Sequence, residues 1–312
     1  MLAIAAAIIP NFALILLGWV IRARRLLEPA FWPQAERLTY YLLFPALLVT
    51  NLAEAKLTGL PVPAIAAAQG LGIVAILGVL ALPLRYFWPR LQNDGPGFTS
   101  LFQGAIRPNT YMAFAVAAAL WGSTGVTVAA ISAALVVPLV NLLCVAALVH
   151  WGQGDGRRGL GPTLAAIAKN PLIIACLVGA GLNLTGIGLP PIIGPFLKIL
   201  AQASLALGLL CVGAGLDLGA VRGAGRVVAA SLVLKLAALP LAVGALGWWF
   251  GLRGETLAAT ILYAAVPVAA NAYVLARQLG GDFRLAAAII TASTLVAAAT
   301  LPVATLLIGH LP

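Results

Sequence analysis

Arg107-Pro108-Asn109-Thr110 and Pro267-Val268-Ala269-Ala270-Asn271 interrupt two apolar stretches near their middles, and the two prolines stand 159 residues apart, about half the chain. Proline lacks a backbone N–H and its ring clashes with the carbonyl one turn back, so a helix running through either stretch has to break. Backbone released from helical bonding survives in lipid only where it is buried in protein or lines a polar cavity. Two broken membrane segments at matching positions of two halves are the best sequence-level pointer to the solute site of a carrier.

Composition supports the membrane setting that this reading needs. Hydrophobic residues make up 62% of the chain, charged residues 8%, and the mean hydropathy is +1.07, whereas soluble domains use roughly 25% charged residues. At about 20 apolar residues per crossing, the chain predicts ten membrane spans at 2–21, 34–53, 62–84, 98–119, 125–149, 163–184, 192–216, 227–250, 256–278 and 284–309. The connections between them are too short to hold a folded insertion. Arg22, Arg24 and Arg25 follow the first span, and no basic stretch precedes it. That is the reverse of a secretory signal peptide, so the span is expected to remain on the mature protein. Cys144, Cys176 and Cys211 lie in apolar stretches without metal-ligand spacing and read as small buried hydrophobes.

Orientation follows from the basic residues of the connections. Those after spans one, three, five, seven and nine contain or adjoin Arg22, Arg24, Arg25, Arg85, Arg90, Arg157, Arg158, Arg222, Arg226, Arg277 and Arg284, against only Lys56 and Arg253 in the others. The positive-inside rule makes the first set cytoplasmic and puts both termini on the non-cytoplasmic side. The net charge of +10 is then a topological signal with an attraction to anionic inner-leaflet lipid. Nucleic acid is not an expected partner, because the arginines are dispersed over separate loops.

Landmarks recur between the halves. Pro10 and Gly18 are matched by Pro171 and Gly179, Pro83 by Pro240, Pro108 and Gly122 by Pro267 and Gly281, and Glu54 by Asp217. Five spans per repeat is odd, so the second copy is inverted relative to the first. The expected fold is all-α and integral to the membrane, with ten transmembrane helices in two inverted five-helix repeats, residues 1–150 and 162–312, and with broken helices four and nine crossing.

Inversion makes the breaks a site. Each lies about ten residues into its span, roughly 15 Å deep, and the helices restarting near Thr110 and near Asn271 aim their N-terminal ends at the centre. Such ends present backbone N–H groups and about half a positive charge, which favours an anion. Asn109 and Asn271 are the expected caps. Arg107 at mid-span either contacts the substrate or bonds to the carbonyls of the break, and Lys235 in span eight either does the same or snorkels. No Asp or Glu occupies the middle of a span, which argues against a carboxylate proton relay.

The Arg107-Pro108-Asn109 break, its Pro267 partner, the Leu234-Lys235 pair ahead of Pro240, and the stretch from Thr291 through Thr294 to Pro302 resemble the auxin efflux carrier family, which includes plant PIN-type carriers and bacterial malonate carriers. The similarity runs over essentially the whole chain, and the absence of a long hydrophilic loop between spans five and six makes a bacterial inner-membrane member the natural comparison. The resemblance implies a scaffold of spans one, two, six and seven, often dimerising into a homodimer, and a moving transport domain of spans three to five and eight to ten. It implies that Asn109 holds the substrate carboxylate and that Asn141 adds a polar group, unless Asn141 serves an interhelical hydrogen bond. Tyr40 and Tyr41 read more readily as interfacial aromatics.

The expected function is a secondary carrier of small organic anions, carboxylates above all, working by an alternating-access, elevator-like mechanism. Its candidate substrate-binding residues are Arg107, Pro108, Asn109, Thr110, Asn141, Lys235, Pro267 and Asn271. No cofactor or metal is expected, although Ser293 and Thr294 are candidate sodium ligands, and the coupling ion, proton or sodium, is left open. The alternative is a sodium-coupled bile-acid-type symporter with the same crossover. An enzyme is disfavoured because His150 and His310 lie at span ends and no metal-binding or serine-nucleophile pattern appears.

Overall fold

The breaks and bends of this chain fall where proline and glycine put them. The computed structural model describes residues 2–54, 60–153, 169, 171–221 and 225–308. Residues 163–168 and 170 of predicted span six, the last residue of span ten, and Lys56, Arg157, Arg158, Arg222 and His310 lie outside the described residues.

The described residues are predominantly helical, and among them one isolated backbone bridge stands in place of any strand. In chain order the helices are α1 (Leu2–Ala23), α2 (Phe31–Leu38), α3 (Phe44–Glu54), α4 (Val62–Ala75), α5 (Leu82–Phe87), α6 (Pro89–Gln92), α7 (Gly95–Ile106), α8 (Thr110–Trp151), α9 (Pro171–Leu184), α10 (Ile193–Ala214), α11 (Leu218–Val221), α12 (Gly225–Val233), α13 (Leu239–Trp249), α14 (Gly254–Ala265), α15 (Asn271–Leu279) and α16 (Phe283–Ile308). Five continuous helical runs among the described residues are long and apolar enough to cross a bilayer: 62–87, 110–151, 193–214, 225–249 and 283–307. The 110–151 run is two rods, because Trp121 and Gly122 leave helical geometry. Gly122 takes φ 53°, a conformation glycine adopts without a Cβ penalty.

Wide π-helical turns join α2 to α3 (Thr39–Leu43), α4 to α5 (Ile76–Ala81) and α12 to α13 (Leu234–Ala238). Each is followed by a helix whose second residue is proline: Pro45, Pro83 or Pro240. A proline cannot donate to the carbonyl four residues back and crowds it, so the turn before it widens. The last two of these turns begin 158 residues apart, in line with the repeat offset read from sequence.

Small residues set the closest helix contacts, as expected where lipid supplies no hydrophobic drive between helices. Helix α1 packs along α10, and α3 along both α9 and α10. A Cβ on Gly213 would lie 1.8 Å from the Ile15 carbonyl oxygen, and one on Gly18 would lie 2.1 Å from that of Leu210. The Arg22 guanidinium at the end of α1 donates to the Ala214 carbonyl at the end of α10, a cation where the helix dipole is negative. A second set of close contacts joins α4 to α13, α13 to α14, and α14 to α8.

The start of α7 and the end of α15 lie together. Asp282 N–H donates to the Pro96 carbonyl (3.2 Å), Gln153 N–H donates to that of Gly280 (2.8 Å), and Ser100 Oγ donates to that of Asp282 (2.7 Å). The first broken segment therefore begins at the end of the molecule where the second one finishes.

Candidate functional site

Both predicted breaks are present, and they bond to each other. Arg107 (φ −76°, ψ 112°) and Val266 (φ −64°, ψ 152°) are extended, as residues before proline prefer. Pro108 and Val268 form an antiparallel bridge: Asn109 N–H donates to the Pro267 carbonyl (2.8 Å), and Ala269 N–H donates to the Arg107 carbonyl (3.3 Å). Each break thus satisfies backbone groups that the other leaves unpaired, which a low-dielectric interior demands. Ser293 on α16 completes the second break, with its Oγ accepting from Val268 N–H (3.1 Å) and donating to the Ile290 carbonyl (3.0 Å).

The two restarts differ. Asn109 caps α8 as expected, its Oδ1 accepting from Met112 N–H (3.2 Å). Its Nδ2 is buried without a hydrogen-bond partner, in a residue only 1% exposed. Asn271 does not cap α15. Ala270 holds the cap position with no side-chain bond, the first turn closes tightly (Ala272 N–H to Ala269 carbonyl, Tyr273 N–H to Ala270 carbonyl), and Asn271 is the first helical residue, exposed to solvent. The N–H groups just ahead of it are already taken by Ser293 and the Arg107 carbonyl.

The central cations are buried and bound to protein. Lys235, fully buried, sits in the π turn ahead of Pro240 and donates from Nζ to the Ala264 carbonyl (2.6 Å) at the end of α14. It completes the C-terminus of that half-helix, where a positive charge is favoured. Arg107, 5% exposed, donates from Nη2 to Asn141 Oδ1 (2.9 Å), while Nη1 has no partner.

A cavity lies on one side of the crossing. Asn109, Thr110 and Tyr111 line it from the start of α8, and Ala269, Ala270 and Asn271 from the start of α15. The wall opposite comes from Glu36, Thr39, Tyr40 and Phe44 of the second predicted span, from Leu172, and from Gly208, Cys211 and Val212 of α10. A Cβ on Gly208 would stand 2.8 Å from Tyr111 Cδ1, so that glycine lets the ring rest on α10. Phe44 meets Tyr111 edge-on at 4.7 Å between centroids. A larger vestibule adjoins the cavity, lined among others by Trp19, Arg22, Asp217, Tyr273 and Arg277. Glu36, Cys211 and Ala270 line both and so form the neck.

Of the residues singled out from sequence, Asn109, Thr110 and Asn271 line this cavity. Arg107, Pro108, Asn141, Lys235 and Pro267 do not. The hydroxyls of Ser293 and Thr294 both donate to the Ile290 carbonyl. Tyr40 lines the cavity and Tyr41 is exposed. Glu36, Thr39, Tyr111 and Cys211 were not anticipated. The signal for the first was present: Trp32, Glu36 and Tyr40 recur at four-residue spacing, one helix face that enters the span.

Apolar helices, two mutually bonded breaks and a cavity beside their crossing are what a multi-pass membrane transport protein requires. Residues 160–305 match the family model described as membrane transport protein. An uncharacterized transporter of Methanothermobacter thermautotrophicus is 27% identical over 301 residues, 93% of each chain. The uncharacterized transporter YfdV of Escherichia coli K12 is 28% identical over 198 residues, 62% of each, as is its counterpart in Shigella flexneri. These matches make the chain a membrane transport protein and not an enzyme, and over residues 160–305 it is similar to the auxin efflux carrier family.

Proposed function

We propose that this protein is a secondary carrier of small organic anions, carboxylates above all, that binds its substrate in the cavity beside the crossing. The observation that carries the reading is Asn109. One end of its amide caps α8, and the other is a buried donor without a protein partner, at a cavity onto which two helix N-termini open. Oriented N–H groups and two positive dipole ends suit a carboxylate there. Thr110 and Asn271 flank it. Arg107, held by Asn141, and Lys235, held by Ala264, lie outside the cavity and supply positive charge from behind the breaks.

In this reading the ten spans form two inverted repeats, residues 1–150 and 162–312. Spans one, two, six and seven are the scaffold, which pairs with a second copy, and spans three to five and eight to ten carry the site past it in an elevator-like motion. The glycine-mediated packing of α1 on α10 supports a rigid scaffold, and the position of the cavity between Asn109 and α10 supports a site at the moving boundary. The positive-inside rule places both termini outside the cytoplasm and the vestibule, with Arg22 and Arg277, on the cytoplasmic face of the inner membrane. Outward movement of one negative charge gains about 2.3 kcal/mol per 100 mV of inside-negative potential, so anion export needs no coupled ion. Purified protein in liposomes, loaded with unlabelled malonate or malate, tests this: labelled anion should enter by saturable counterflow in the wild type, and Asn109→Ala should lower the rate at least tenfold. Counterflow that matches empty liposomes for every carboxylate tried would remove the reading.

A further inference from the structure

Glu36 is the one acidic side chain among the described residues that line the substrate cavity, and it lies at the neck where cavity and vestibule join. Across the neck are Cys211 of α10 and Ala270, the residue from which α15 restarts. No ion pair engages Glu36 among the described residues, where the recorded pair is Lys198 with Glu54. The titratable and charged groups that share its surroundings come from every neighbouring element. They are Arg37 and Tyr40 on its own segment, Tyr111 on α8 and Cys211 on α10. On the vestibule side they are Arg22 at the end of α1, Asp217 beyond α10, and Tyr273 and Arg277 on α15.

Such a carboxylate stands where an incoming anion must pass, beside one of the helix ends that would hold it. Ionised, it repels the anion and competes with it for the start of α15. Protonated, it withdraws that charge and offers an O–H donor. Two carboxylates sharing one site cannot both ionise cheaply, so anion binding and proton uptake are linked, each strengthening the other by the same factor. We infer that Glu36 is a proton-operated gate of the anion site, closed to carboxylates when ionised and open when protonated. This deepens the anion-carrier reading above and rests on it.

The test is malonate binding to the purified full-length protein between pH 5 and pH 8, in wild type and Glu36→Gln. The ratio of the two dissociation constants cancels the titration of malonate itself. It should be near one at pH 5 and rise at least tenfold towards pH 8, with wild type the weaker binder. A ratio independent of pH, with binding intact, overturns the gate and leaves the carrier reading standing. Failure of both proteins to bind malonate or any other carboxylate at any pH overturns both. If the glutamine variant does not fold, calorimetry of wild type at pH 7 in two buffers of different ionisation enthalpy decides the matter. Proton uptake on malonate binding is the expected result, and none refutes the gate.

Discussion

Arg107 and Asn141 are 34 positions apart, and nothing in either neighbourhood announces that the guanidinium would spend its Nη2 on that amide. The presence of a buried cation could be read from sequence, because a charge at mid-span is costly and conspicuous, but its partner is a product of how α8 folds back past its own start. Lys235 was more legible. Binding to carbonyls was one of its three readings, beside substrate contact and snorkelling, and Nζ does meet the Ala264 carbonyl. Glu36 escaped notice because it stands two residues inside its span and not at the centre. Asn141→Leu deprives a buried guanidinium of its side-chain acceptor. It should cost about 1.5–3 kcal/mol, read as a lowered melting temperature in detergent. Adding Arg107→Met should recover part of that loss, since the uncompensated charge goes with it. Additive losses would contradict the pairing.

At the level of elements, the two interruptions were legible because proline leaves no alternative, and their offset announced that they belong together. Their mutual hydrogen bonds were not, since nothing local fixes which carbonyl meets which N–H across the crossing. The cap of α15 was misread for a related reason. Asparagine is a strong N-cap, but the break's N–H groups were claimed by Ser293 and Arg107, and the helix began at Asn271 with Ala270 in the cap position and no side-chain bond. The π turn at Leu234–Ala238 sets the rotation of Lys235 towards Ala264. Pro240→Ala restores a donor and lets that turn rewind as α-helix, swinging Lys235 by about 100° per residue of register. Transport should fall about tenfold with membrane insertion unchanged; an unaltered rate would show the turn to be incidental. Gly213→Ala forces α1 from α10 against a 1.8 Å approach and should cost about 1–3 kcal/mol, again read by thermal melting.

Across the whole molecule, the cavity, its neck and the vestibule make one path from the crossing to the face bearing Arg22 and Arg277. Cys211 lies on that path and is partly exposed, whereas Cys144 and Cys176 are buried. A water-soluble methanethiosulfonate should modify Cys211 first, and malonate should slow the reaction severalfold; equal labelling of all three thiols would deny the path. Anion binding at the crossing depends on the positive character of the cavity at Asn109. Asn109→Asp examines it with little structural disturbance, because aspartate caps a helix as well as asparagine does while placing a negative charge at the site. Two like charges about 4 Å apart interact by roughly 4 kcal/mol at an effective dielectric of 20. Calorimetric binding of malonate to the purified variant should therefore weaken by at least a hundredfold, with the melting temperature little changed, and binding as tight as wild type or tighter would contradict an anion site at the crossing.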